Sequence, residues 1–416
     1  MTMTMSYRVS DELFLWWLAD PQRPVLVGNL RLVQRKARQP GGVSLEYAPS
    51  WLARGLALSE DLPLQGGEFL PAESDAAVGA VDDARPDRWG ERVIRLLDHP
   101  ARLSTLEFLY FAGDDRFGAL GVSTSASEYL PRVHGAMPVL DDVEAMVALV
   151  RKVEAGEMVE ERLRRLITPG ATLGGARPKA LVRIDGAEWV LKFAETGDPL
   201  DSPAVEHAAM TLAAKAGISV CTTQLIRLSE GHAVAVRRFD RLGVTSLHAL
   251  SAHVALRAAG QTYGYPELAL LLRRRGPADL IEAQGEELFR RMVFNILIDN
   301  TDDHEKNHAL LVDDKQRYSL APAFDVLPSG QAIGYQQMRV GRDGAESTVA
   351  NALSEHRAFS LTAARAKQLA TEVAAHVEGW EAHFLEMGVS GRDLAYLKSQ
   401  IDRPFLQGQR QDLLRI

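Results

Sequence analysis

The sequence predicts an α+β protein with a two-lobed body and an extra N-terminal unit, and three observations carry that expectation. Residues 1–130 read as short alternating runs such as Val25-Leu26-Val27-Gly28-Asn29-Leu30, broken by Pro/Gly loops, the pattern of a β-rich unit. Residues 131–245 hold a glycine-bearing turn, a hairpin and one well-capped helix, a mixed α/β pattern. Residues 246–416 are mainly helical in their apolar spacing. With 416 residues, 46% hydrophobic and 25% charged, the chain has ample apolar material for a sizeable core.

Charge and cysteine content narrow the function. A formal net charge of −8 argues against a protein whose own surface grips nucleic acid through many phosphate contacts. Cys221 is the only cysteine, which rules out an intrachain disulfide or a cysteine-rich metal site and fits a reducing, cytoplasmic setting. The run Leu13-Phe14-Leu15-Trp16-Trp17-Leu18-Ala19, bracketed by Asp11, Glu12 and Asp20, is too short to span a membrane and lacks a basic flank. It reads as a strand, and no membrane association is expected.

Along the first unit, Pro86-Asp87-Arg88-Trp89-Gly90-Glu91-Arg92 reads as a helix start and Gly113-Asp114-Asp115-Arg116-Phe117-Gly118-Ala119-Leu120 as a hairpin turn. Pro131 to Pro138 is a linker, and Leu140–Val153 and Glu160–Ile167 have helical spacing. Then Thr172-Leu173-Gly174-Gly175-Ala176-Arg177-Pro178-Lys179 precedes the strand Ala180–Ile184. Asp185-Gly186 makes a two-residue hairpin turn, and Glu188–Phe193 returns. Glycines let backbone N–H groups approach phosphate oxygens without a Cβ in the way, and Lys192 could aim an ammonium at them from the strand. The plainer reading is a structural turn beside a surface lysine.

Ser202-Pro203 opens the next helix as N-cap and first residue, Val205, Ala208, Ala209, Leu212 and Ala216 form its apolar stripe, and Gly217 ends it. Glu206, near the start, is either a dipole-stabilised surface carboxylate or the partner of Lys192. Ala233–Arg237 is a strand running into the charged turn Arg238-Phe239-Asp240-Arg241. In a two-lobed nucleotide enzyme this is the hinge, with backbone groups of Arg237 and Phe239 at the adenine edge; otherwise it is an edge strand ending in a salt-bridged loop. Helices follow at Pro266–Arg275 and Glu286–Asp299, the second burying Leu288, Phe289, Met292, Val293, Ile296 and Leu297.

The segment after that helix supports two incompatible chemistries. His304-Glu305-Lys306-Asn307-His308 fits H-E-x-x-H, the zinc-peptidase pattern of two imidazoles one helical turn apart with a glutamate that activates water. Asp302 and Asn307 fit the D-x-x-x-x-N spacing of a kinase catalytic loop, with Asp325 downstream as a second magnesium ligand. The zinc reading needs a continuous helix. Asn300-Thr301-Asp302-Asp303 instead reads as a loop after a helix, and His308–Val312 and Gln316–Leu320 read as strands flanking an Asp313–Lys315 turn. The order of the glycine turn, Lys192, Glu206, Asp302/Asn307 and Asp325 is that of a phosphoryl-transfer site, and its oxygen ligands suit Mg²⁺.

These residues together carry a resemblance. Leu173–Lys179, Arg238–Arg241, Thr301–Asn307 and Pro322-Ala323-Phe324-Asp325 resemble the HipA family of serine/threonine-kinase toxins. The Pro86–Gly90 and Gly113–Ala119 segments, Met338 and Gly341-Arg342-Asp343-Gly344 extend the likeness nearly end to end. The resemblance implies a protein-kinase-like two-lobed fold, ATP and Mg²⁺ as cofactors, and a toxin's role beside a small HipB-like helix-turn-helix antitoxin, with DNA reached only through that partner. Its protein substrate would be of the aminoacyl-tRNA synthetase kind. Asp302 would accept the proton, and Asn307 and Asp325 would hold Mg²⁺. Gly174, Gly175, Ala176, Arg177, Pro178, Lys179, Lys192, Glu206, Arg237, Arg238, Phe239, His304, Lys306 and Phe324 would surround the nucleotide. Thr172 stands where the family carries an autophosphorylated serine, and a phosphate there would add charge able to expel the loop. The alternatives are an antitoxin-binding co-repressor with little catalysis and the zinc peptidase.

Overall fold

In the computed structural model, residues 7–36, 40–132, 135–167, 169–170 and 176–415 are described. The N-terminal unit is built on a sheet with the order β4-β3-β2-β1-β6, where β1 is Glu12–Trp17, β2 Val25–Val33 and β3 Gly42–Tyr47. After α1 (Pro49–Arg54) come β4 (Glu68–Phe69) and β5 (Ala76–Ala77), the latter pairing with β3. A 3₁₀ segment at Gly79–Ala84, α2 (Arg88–Leu97) and α3 (Thr105–Phe111) lead to β6 (Leu120–Ser123). Alternation along β1 buries Leu13 and Leu15, as the period of a half-buried strand requires.

Two local expectations for this unit meet different outcomes. Asp87 caps α2 by accepting from Gly90 N (2.9 Å), so Pro86–Arg92 is a helix start. Gly90 has a packing reason to be glycine: a Cβ there would lie 2.1 Å from the Pro169 carbonyl oxygen. Gly113–Leu120 is not a hairpin turn. It joins α3 to β6, because the preceding Thr105–Phe111 run is a fully buried helix whose apolar continuity hides its period. Arg116 fixes the turn from inside, donating to the carbonyls of Gly113 (2.8 Å) and Leu109 (2.9 Å).

The second sheet has the order β7-β8-β10-β9, from β7 (Lys179–Ile184), β8 (Ala187–Phe193), β9 (Thr223–Arg227) and β10 (His232–Arg237). Asp185 (φ 49°) and Gly186 (φ 77°) make the tight turn with both residues left-handed, and Ile184 pairs with Ala187. One face of this sheet packs Ala180, Val182, Leu191 and Ala235 under α4 (Val143–Ala155) and α2. The opposite face carries Leu181, Val190 and Val234 towards α5 (Ser202–Lys215) and the main core. Glu161–Leu166 is a 3₁₀ segment rather than an α-helix, too short a run to sustain α-helical hydrogen bonding. The cap of α5 is Asp201, which accepts from Ala204 N (3.4 Å); Ser202 lies inside the first turn and donates to Asp198 (2.7 Å).

A small hairpin, β11 (Arg241–Leu242) and β12 (Thr245–Ser246), leads to β13 (Ala249–Ser251), a strand too short to show alternation in the sequence. β13 pairs with β14 (Ala309–Val312), and β14 with β15 (Tyr318–Leu320). Around this ribbon stand α6 (Ala252–Ala258), α7 (Tyr265–Arg275) and α8 (Ile281–Leu297). The C-terminal helices are α9 (Val349–Ser354), α10 (Ala363–Glu378), α11 (Trp380–Glu386), α12 (Gly391–Ile401) and α13 (Pro404–Leu414). Among the described residues no helix is long and apolar enough to cross a membrane.

The N-terminal unit is clasped to the rest by Arg238-Phe239-Asp240-Arg241. Buried Asp240 accepts from Gly118 N (2.9 Å), Arg238 (2.8 Å) and Arg241 (2.9 Å). The two guanidiniums donate onward to the carbonyls of Asp115, Arg116 and Gly118. Burial opposes ionisation of Asp240, but Arg238 and Arg241 outweigh it and hold its carboxyl at about 2. A depressed carboxyl stabilises the fold fully above its unfolded value of about 4, and the contribution fades as pH falls towards 2. Asp240→Asn is therefore expected to cost about 3–5 kcal/mol in urea unfolding at neutral pH. The loss should shrink in acid below about pH 4; a variant as stable as the parent at neutral pH contradicts the clasp.

Candidate active site

Lys192 is the centre of the site. On β8 it lies two residues from Val190, on the same face turned towards α5, so strand periodicity aims its ammonium at that helix. Its Nζ donates to Glu206 Oε1 (2.6 Å) and to Asp325 Oδ1 (2.6 Å). Lys192 and Glu206 are almost wholly buried. Burial disfavours the ammonium, but the Asp325 and Glu206 carboxylates prevail and hold it above an ordinary lysine. Burial pushes Glu206 up against the pull of Lys192, whereas for half-buried Asp325 Lys192 outweighs the cost of burial and holds the carboxyl below the usual carboxylate range. Asp325 has a left-handed backbone (φ 59°), an unfavourable conformation for a residue with a Cβ that is found concentrated at functional sites.

The loop between α8 and β14 supplies the other groups. Asp302 is exposed beside buried Thr301 and Asp303, and among the described residues nothing hydrogen-bonds its carboxylate. Burial raises its pKa, His304 opposes this, and Asp325 and Asp303 raise it further. Asn307 is buried with its Oδ1 lacking any hydrogen-bond donor. The loop is tied to the segment after Asp325: Thr301 Oγ1 lies 2.6 Å from Ser329 Oγ, and Ser329 N donates to the Asp299 carbonyl (3.0 Å). Arg403 secures Asp299 from α12's end (2.6 Å).

The geometry overturns the zinc reading. His304, Glu305 and His308 do not share a helical face, because Glu305–Asn307 is a single 3₁₀ turn that His304 caps and His308 follows. Glu305 pairs with His253 (3.0 Å), and His308 turns inward to Asp303 (2.8 Å). The three groups diverge, so among the described residues no pair of imidazoles with an adjacent glutamate converges to hold zinc.

A cleft of about 810 Å³ opens over the loop and the adjoining Phe324. Asp302, His304, Lys306, Asn307, Phe324 and Ala176 line it. Phe239 stacks on Phe324 (5.6 Å, 23°) and meets the edge of Phe117 (6.0 Å). Lys179 lies in register opposite Lys192, but its ammonium pairs with Asp87 at the start of α2. Arg177 reaches Asp198 (2.6 Å) and Ser202 (2.9 Å) rather than the open cleft, and Pro178 is buried with its carbonyl accepting from Phe193 N. The Arg238 side chain is committed to the clasp, and Arg237 is exposed at the end of β10. Thr172, Gly174 and Gly175 lie outside the described residues.

Sequence reasoning missed the contribution of the N-terminal unit. Asp82, Asp83, Arg85, Asp87 and Arg88 form a wall of the same cleft. Ser251, which caps α6, receives no signal of its own in the sequence, yet it donates to Asp83 Oδ1 (2.6 Å) across the junction. Only the Pro86–Arg92 motif hinted at this wall.

The architecture is that of a protein-kinase-like fold preceded by an additional N-terminal unit. The family model described as HipA-like C-terminal domain matches residues 171–380, and that described as HipA N-terminal domain matches 25–123. The chain belongs to the HipA family. It is similar to a chain of the Shewanella oneidensis toxin–antitoxin complex of HipA, HipB and operator DNA, with a TM-score of 0.67 at 16% identity over 97% of this chain and 99% of that one. It is also similar to the Helicobacter pylori proinflammatory kinase CtkA, with a TM-score of 0.44 at 14% identity, over 59% of this chain and 94% of that one. A curated relative is Y4dM of Sinorhizobium fredii, whose name provisionally calls it a kinase. It is 30% identical over 155 residues, 34% of this chain, and the match spans 37% of Y4dM's length.

Replacing Lys192 by Met leaves Glu206 and Asp325 facing each other without a counter-charge. Their carboxyls should rise, and a raised carboxyl favours folding at low pH and loses that contribution as pH climbs. The expected stability deficit of Lys192→Met is about 3–5 kcal/mol near pH 8 and clearly smaller near about pH 5. Thermal unfolding at both pH values checks this; a deficit independent of pH contradicts it.

Proposed function

We propose that this chain is an ATP- and Mg²⁺-dependent protein serine/threonine kinase, the toxin of a HipA/HipB-like toxin–antitoxin pair. The observation that carries the reading is Lys192 held between Glu206 and Asp325, beside a loop presenting Asp302 and Asn307. The pairing of a strand lysine with a helix glutamate is what a nucleotide-aligning site requires. In this reading residues 1–130 form the N-terminal subdomain, 131–245 the nucleotide lobe and 246–416 the catalytic lobe.

The residues fit a hard divalent cation. Asn307 Oδ1 is a buried carbonyl oxygen without a donor, and Asp325 is a carboxylate held in its charged form. Asn307 and Asp325 would hold Mg²⁺, which when bound neutralises charge on the transferring phosphoryl group. Lys192 orients the phosphates, with Glu206 fixing the lysine. Asp302, exposed to the cleft, accepts the proton of the protein substrate's hydroxyl. His304, Lys306 and Phe324 border the nucleotide, and the backbone of Arg237 to Phe239 serves as its hinge.

The partner is a HipB-like helix-turn-helix antitoxin, with DNA approached through it, and the substrate is a protein hydroxyl, an aminoacyl-tRNA synthetase being the family's precedent. The setting is the cytoplasm. Thr172 is the proposed autophosphorylation position.

Asp302→Ala should lower phosphoryl transfer from labelled ATP by at least about 10²-fold and relieve growth inhibition on expression. Unchanged transfer sinks the assignment. Full repression with an antitoxin by an inactive parent chain would favour the co-repressor instead. Intact-mass measurement before and after ATP/Mg²⁺, with peptide mapping, should find one added phosphate on Thr172; a phosphate mapped elsewhere refutes that position.

A further inference from the structure

The second histidine of the H-E-x-x-H pattern is left without a role once zinc is dismissed. His308 and Asp303 are each only 2% exposed. His308 Nε2 meets Asp303 Oδ2 at 2.8 Å, and the buried Tyr265 hydroxyl donates to the same carboxylate oxygen. Behind Tyr265, Asn295 Nδ2 donates to its hydroxyl (3.3 Å), and Asn300 Nδ2 donates to Asn295 Oδ1 (3.0 Å). The Tyr265 ring stands edge-on to His308 (5.5 Å, 77°). His308 is anchored through its backbone as well, its carbonyl accepting from Ala252 N (2.7 Å) at the start of α6.

Position in the chain gives this network its meaning. Asp303 directly follows Asp302, and His308 directly follows Asn307. The Asp303–His308 contact therefore crosses the base of the loop and closes it one residue away from each functional group. The four intervening residues include one 3₁₀ turn, which by itself has poor hydrogen-bond geometry and little stiffness. A buried ionic hydrogen bond backed by helices α7 and α8 supplies the rigidity that the turn lacks.

We propose that Asp303 and His308, backed by Tyr265, are positioning residues that fix the separation of Asp302 from Asn307. This rests on the kinase reading given above. Neither residue touches the reacting groups, and both act through their neighbours. A displacement near 1 Å in such a pair is enough to slow a reaction by about 10²-fold.

The test uses the full chain and three variants. His308→Phe keeps a planar ring and deletes the hydrogen bond, His308→Gln returns a donor, and Tyr265→Phe removes only the hydroxyl. Hydrogen exchange of the chain without nucleotide, read by mass spectrometry, should rise about 10-fold or more in peptides spanning 300–309 for His308→Phe and much less for His308→Gln. In phosphoryl transfer, His308→Phe should lower kcat by about 30–100-fold and raise the Mg²⁺ needed for half-maximal rate about 10-fold, with KM for ATP within about twofold. His308→Gln should regain most of the loss, and Tyr265→Phe should fall between them. Unchanged exchange at 300–309 overturns the brace. Raised exchange with unchanged kcat and Mg²⁺ response overturns its positioning role, as does an equal loss in His308→Phe and His308→Gln. A parent chain without Mg²⁺-dependent transfer refutes the kinase reading instead, and the exchange comparison still decides the brace.

Discussion

One buried ammonium organises this molecule's centre. Lys192 bridges a carboxylate from the helix that covers its own sheet, Glu206, and one from beyond the β14–β15 hairpin, Asp325. Removing such charges from water is expensive, and only short contacts to both partners make the burial tolerable. The arrangement forces the sheet, α5 and the Asp325 turn into one fixed relation. Asp325 adopts its left-handed backbone within that constraint, and the loop carrying Asp302 and Asn307 is tied to the same turn through Thr301 and Ser329. Two carboxyl groups share the one ammonium, an excess of acidic groups in keeping with the proposed metal site.

A second buried ionic cluster has a different task. Asp240 with Arg238 and Arg241 satisfies backbone groups of the N-terminal unit at residues 115, 116 and 118. The contacts reach carbonyls rather than flexible side chains, which makes the junction rigid and orientation-specific. Its consequence is that the N-terminal unit contributes to the cleft itself. Asp87 caps α2 and also pairs with Lys179 on β7, so the start of that helix and the edge of the second sheet cannot separate without exposing a buried charge.

Much of this was legible in the sequence where function sits at the end of a locally encoded element. Asp185-Gly186 defined the hairpin and hence the face of Lys192; the capped helix put Glu206 near its start; Asn300-Thr301-Asp302-Asp303 marked a loop. The structure brings Lys192, Glu206 and Asp325 into contact and lines one cleft with Asp302 and Asn307. What was not legible depends on long-range contacts. Arg238 reads as a hinge residue until its side chain is seen in the clasp. Lys179 reads as part of a phosphate loop until its partner Asp87 appears 92 positions upstream. The Gly113–Leu120 turn reads as a hairpin because the helix before it is buried on all sides and shows no period. His308 matched a motif by spacing alone, and only the 3₁₀ turn before it reveals which way it points.

The central claim is that Lys192, Asp325 and Asn307 form one metal–nucleotide site. Electron paramagnetic resonance of Mn²⁺ titrated into the chain, with and without a non-hydrolysable ATP analogue, tests it most directly. The account predicts tight Mn²⁺ binding of at least about one ion per chain only when nucleotide is present, abolished by Asp325→Asn. Nucleotide binding that neither requires nor recruits the metal, or Mn²⁺ binding indifferent to Asp325→Asn, would contradict it.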